Sequence, residues 1–91
     1  MNQLSQVIKI THDSGLHARA STEFVRLAQR FEAEITVTRV GGSTVDGKST
    51  IAIMTLGAQL GDEIKIQTHG SDAAEALEAL SDLVRHDFHG V

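Results

Sequence analysis

Within 91 residues the spacing of apolar side chains switches repeatedly between two and three-to-four, a pattern that suits neither an all-helical chain nor an all-strand one. Ile8 and Ile10 flank Lys9 ahead of the polar, glycine-containing stretch Thr11-His12-Asp13-Ser14-Gly15, which reads as a strand running into a loop. From Ala18 to Phe31 the residues Ala20, Phe24, Leu27, Ala28 and Phe31 recur at helical spacing, with Arg19, Glu23, Arg26 and Arg30 mostly off that stripe. Ile35 and Val37 then alternate with Glu34, Thr36 and Thr38, and Gly41-Gly42 breaks the run before a short partner strand near Ser43 to Val45. Ser49 to Leu56, stopping at Gly57, predicts a helix of about two turns in competition with strand propensity. After the turn signal Gly61-Asp62, Ile64 and Ile66 mark a last strand. Ser71-Asp72 offers capping side chains, with Glu75 one turn on, and Ala73, Leu77, Leu80, Val84 and Phe88 trace a final helix. The order is strand, helix, strand, strand, helix, strand, helix. It predicts an α+β fold in which helices cover one face of an antiparallel sheet.

Composition narrows the function classes. Residues 1–91 read as one small domain, with no proline, linker or internal repeat, and too short to enclose a deep active site. Without cysteine there is neither disulfide nor thiolate chemistry, which agrees with a cytoplasmic setting. No apolar run approaches the roughly 20 residues of a membrane span, and Met1-Asn2-Gln3-Leu4-Ser5 does not resemble an export signal. Twelve acidic against eight basic residues leave a formal charge of -4, which repels phosphate backbones, and three phenylalanines are the whole aromatic complement. Nucleic acid and membrane are therefore not expected partners, and nothing in the chain calls for a cofactor.

The chemistry concentrates at Gly15-Leu16-His17-Ala18-Arg19, where the loop enters the first helix. Amides of a first helical turn have no intrahelical acceptor, and the macrodipole adds partial positive charge there, so an anion is favoured. The same field disfavours the protonated form of a histidine at that end and keeps its ring nucleophilic. Arg19 could hold phosphate oxygens through its planar fork of donors. These residues point to a histidine that accepts and passes on a phosphoryl group.

With that motif, and with Lys48-Ser49 followed by Ile51, Met54, Thr55, Leu56 and Gly57, the chain resembles from end to end the HPr phosphocarriers of the bacterial phosphoenolpyruvate-dependent sugar phosphotransferase system and their nitrogen-related paralogues. The resemblance implies an open-faced β-sandwich, a four-stranded antiparallel sheet with three helices on one side. It implies a carrier rather than an enzyme, phosphorylated by enzyme I at Nδ1 of His17, steadied by Arg19, and discharged to IIA domains. It further implies docking through the first and short helices at Ala20, Phe24, Thr50, Ile51 and Met54, and action as a monomer. Two departures stand out. Ala20 occupies the position where most members have proline, which keeps a good helix former and adds one N–H donor near the phosphate site. Thr50 replaces a larger apolar residue common in sugar-system members, so the choice between sugar and nitrogen branches stays open.

Ser49 has two readings. It either caps the short helix or, as in many Gram-positive members, is phosphorylated by an HPr kinase, which would place about -1.5 to -2 charges in the docking patch. His86 and His89 are three residues apart on the predicted last helix, near enough to share a metal ion, but a frayed chain end is the simpler account and no metal site is expected. His12 and His69 have no partner that the sequence identifies. Ile51, Ile53, Met54 and Leu56 cannot all be buried by one side of a two-turn helix, so either some face solvent as a docking surface or the segment is a strand. The competing functional reading is a regulatory module of the same fold that signals its phosphorylation state and passes little phosphate onward.

Overall fold

A computed structural model describes residues 3–90. Along the chain run β1 (Gln3–Lys9), α1 (Ala18–Ala28), β2 (Glu34–Arg39), β3 (Thr44–Asp46), α2 (Thr50–Thr55), β4 (Glu63–His69) and α3 (Ala73–Arg85), followed by a terminal turn at Asp87–Gly90. The strands form one antiparallel sheet in the order β1-β4-β2-β3. Its register follows from side-chain alternation. Ile8 pairs with Ile64, Val37 with Ile66 and Ile35 with Thr68, and all six side chains are buried. The residues between them, Thr36 opposite Gln67 and Thr38 opposite Lys65, lie on the other, more polar face. α3 packs on β1 and β4, and α1 packs on α2 and α3. Phe24, Ile53, Leu80, Val84 and Phe88 fill the space between helices and sheet.

Two helix ends and one cap differ from the sequence expectation. α1 ends at Ala28, not Phe31, because Arg30 and Phe31 turn their N–H groups to Leu27 and Ala28 three residues back, tightening the chain out of α geometry. α3 ends at Arg85. Phe88 still reaches the core, but from the terminal turn, where Asp87, Phe88 and His89 all have φ between 52 and 56°. Asp72 sits at the start of α3 but does not cap it. Its carboxylate crosses instead to the N–H groups of Glu32 (2.9 Å) and Ala33 (2.8 Å), tying the α1–β2 connection to α3. The Glu32 N–H bond, foremost, holds the Asp72 carboxyl below the usual aspartate value.

Candidate functional site

The approach to α1 is built from backbone constraints that converge on His17. A turn at His12–Gly15, closed by the Gly15 N–H on the His12 carbonyl (3.0 Å), reverses the chain after β1. Gly15 has φ +61°, and a Cβ there would stand 2.4 Å from the Ala58 carbonyl oxygen, so the position admits only glycine. The next amide, Leu16 N–H, donates to that same carbonyl at 3.0 Å, and the Leu16 side chain is buried. From the helix side, buried Ser21 donates its hydroxyl to the Leu16 carbonyl (3.1 Å) and its N–H to the His17 carbonyl (2.8 Å). The peptide units on either side of His17 are thus fixed, while its side chain remains half-buried.

His17 is the N-cap residue of α1, with extended backbone at φ -73° and ψ -179°. Its Nδ1 accepts the Arg19 N–H at 3.2 Å. A ring nitrogen that accepts is unprotonated, so this bond assigns the neutral ring the tautomer with its proton on Nε2. The Nδ1 lone pair therefore lies against the donor-rich end of a helix whose first turn has no acidic residue. The Arg19 side chain is exposed and in no ion pair among the described residues. An electrophile with anionic oxygens, bonded to Nδ1, would meet first-turn amides and could be reached by the exposed Arg19 guanidinium.

Other expected site residues are distributed differently. Ala20 and Phe24 lie on the core stripe of α1 and are 0% and 1% exposed, so neither can serve as a docking contact. Ile51 and Met54 on α2 are 77% and 43% exposed, whereas Ile53 and Leu56 on its other side are buried. Thr50 is half-buried at the first position of that helix. Ser49 caps α2, its hydroxyl oxygen accepting the Ala52 N–H at 3.2 Å. His86 and His89 lie beyond α3, not on it, with rings stacked 5.9 Å apart, and His86 Nδ1 lies 2.7 Å from the Asp82 carbonyl. Among the described residues no group of three or more His, Cys, Asp or Glu could hold a metal ion, and no helix is long and apolar enough to cross a membrane.

The residue that sequence reasoning missed is His12. Its ring centroid is 5.0 Å from that of His17, and its Nδ1 accepts the Ser14 N–H at 3.1 Å. Only the turn forced by Gly15 brings the two imidazoles together, and no periodic pattern signals it.

Residues 4–86 match the family model described as "PTS HPr component phosphorylation site". The chain belongs to the HPr family. It is 45% identical over 85 residues to the phosphocarrier protein HPr of Neisseria meningitidis, covering 93% of this chain and 94% of the relative. Among solved structures it resembles an HPr from Bacillus anthracis, with TM-score 0.85 and 41% identity over 90% of this chain and 96% of that one. It also resembles an HPr from Thermoanaerobacter tengcongensis, with TM-score 0.86 and 36% identity over 98% and 97%. The open four-stranded sheet with three helices on one side is the fold of these HPr structures. HPr proteins are phosphocarriers, so this chain is a phosphoryl carrier of the phosphotransferase system that serves sugar transport, not an autonomous enzyme.

Proposed function

We propose that His17 is the phosphoryl acceptor, that the acceptor atom is Nδ1, and that the group arrives from enzyme I and leaves to IIA domains. The observation that carries this reading is the Nδ1 lone pair held against the Arg19 amide at the start of α1. In the forward step Nδ1 attacks phosphorus in line, the Nδ1–P bond forms, and the bond from phosphorus to the donor's imidazole breaks. The Nε2 proton leaves His17 as the departing donor ring takes one up, so charge balances across the exchange. The oxygens of the transferring group take over the Arg19 N–H that Nδ1 releases, and the Arg19 guanidinium swings onto them. Binding is strongest where charge is greatest, and no enclosed pocket is needed for two partners to reach the same ring in turn.

Docking is assigned to the exposed apolar side of α2, Ile51 and Met54 with Thr50 beside them, on a helix that packs against α1. Ser49 acts as a cap in the carrier. A phosphate on that oxygen would add about -1.5 to -2 charges at the edge of the docking surface, so an HPr kinase acting there would lower phosphoryl acceptance at His17. The carrier works as a monomeric single domain in the cytoplasm, where its phosphoenolpyruvate-charged donor resides. Incubation with phosphoenolpyruvate and enzyme I, read by intact mass, tests the assignment: the chain gains one acid-labile phosphate and His17→Ala gains none. Normal labelling of His17→Ala would overturn it. Prompt loss of the label to IIA domains distinguishes a relay from a module that only signals its phosphorylation state, which would retain it.

A further inference from the structure

The single hydrogen bond to His17 Nδ1, at 3.2 Å, is a weak restraint on a ring whose terminal torsion is intrinsically broad. Something else must keep Nδ1 aimed at the helix end. The His12 ring lies in aromatic contact range of His17, 5.0 Å between centroids and tilted by 47°. His12 is itself held from two sides. Its Nδ1 takes the Ser14 N–H at 3.1 Å, and the ring meets Phe88 edge-on at 6.0 Å and 70°.

Phe88 is an unusual support. It is 1% exposed yet sits at φ 56°, between Asp87 and His89 that are also left-handed, in a turn fastened by the Thr11 hydroxyl on the Asp87 carboxylate. Bulky residues adopt that conformation at a cost, and strain of this kind persists only where surrounding contacts over-determine it. Here the strained turn delivers an aromatic side chain against the second imidazole, which in turn abuts the first.

We propose that His12 is a positioning residue for phosphoryl transfer: buttressed by Phe88 and tethered to Ser14, its ring limits rotation of the His17 imidazole and keeps Nδ1 directed at the start of α1. The inference rests on His17 being the acceptor. His12 does not touch the transferring group and acts only through the orientation of His17.

His12→Asn tests this. An asparagine side chain can still accept the Ser14 N–H, so the turn survives while the ring contact is lost. With enzyme I and phosphoenolpyruvate, the expected result is a kcat for phosphoryl acceptance lower on the order of tenfold with KM unchanged, because the reacting atom is misaimed and docking is untouched. In the same sample the His17 ring ¹⁵N resonances of Nδ1 and Nε2 move toward each other as tautomers and orientations average, while the Ser14 and Gly15 amide resonances hold their positions. A wild-type value of either kcat or the His17 ¹⁵N separation overturns the proposal. His17→Ala, run alongside, separates the two ideas: acceptance there would remove His17 as the acceptor, whereas its failure to accept beside a wild-type His12→Asn removes only the role of His12.

Discussion

Gly15 and Gly57 have nearly the same backbone conformation, φ +61° and +64°, but opposite surroundings. A Cβ on Gly15 would lie 2.4 Å from the Ala58 carbonyl oxygen and 2.7 Å from the Gln59 Cα, whereas one on Gly57 meets nothing within 4 Å. Alanine in the left-handed region costs roughly 1 to 2 kcal/mol relative to its preferred conformation, and both variants incur that cost. Relief of the Gly15 clash must push the turn away from Ala58 and break the Leu16 N–H bond to it, worth about 0.5 to 1.5 kcal/mol more. The totals are about 1.5 to 3.5 kcal/mol for Gly15→Ala and about 1 to 2 for Gly57→Ala. In a domain of this size each kcal/mol lowers the melting temperature by roughly 4 to 8 °C. Thermal unfolding followed by far-ultraviolet circular dichroism suits a chain without Trp or Tyr. Gly15→Ala should melt below Gly57→Ala and should also accept phosphoryl groups slowly at temperatures where it is still folded, since the displaced turn carries His17. Equal melting temperatures, with phosphoryl acceptance intact in Gly15→Ala, would refute the reasoning.

Ser49→Ala removes the α2 cap and should cost about 1 kcal/mol in urea unfolding, while Ser49→Asp, which can still cap, should recover most of it; a neutral alanine variant contradicts the capping role. Asp72 has a lowered folded-state value, so its contribution is present above the ordinary aspartate range and lost as pH falls through the lowered one. The drop in melting temperature between about pH 5 and 3 should therefore be shallower in Asp72→Asn than in the native chain, and parallel curves would contradict this. Phe24→Ala should lose about 3 to 5 kcal/mol of stability. Ile51→Ala should stay within about 0.5 kcal/mol of the native chain but raise the KM for enzyme I, and the reverse pattern would return Phe24 to the docking surface.

Much of the architecture was readable from side-chain spacing because the sheet buries one face only. Ile35, Val37, Ile64 and Ile66 announce their strands by alternation, and the Gly15-to-Arg19 stretch marks the entrance to α1. What could not be read depends on contacts distant in sequence or on unusual backbone. Phe88 falls four residues after Val84, as a helix would place it, but reaches the core through left-handed geometry that spacing cannot distinguish. Asp72 looks like a cap and is drawn away by two amides some forty positions earlier. Ala20 and Phe24 aligned with a docking patch, yet their own helical stripe places them in the core. His12 offered no local pattern at all, since its significance arises only when the turn folds it onto His17.

The most direct test is to locate the phosphorus atom among five histidines and ten ring nitrogens. Long-range ¹H–¹⁵N correlation with ³¹P coupling on the chain phosphorylated by enzyme I should show phosphorus bonded to Nδ1 of His17 and to no other nitrogen. Phosphorus on Nε2 of His17, or on His12, His69, His86 or His89, would contradict the account.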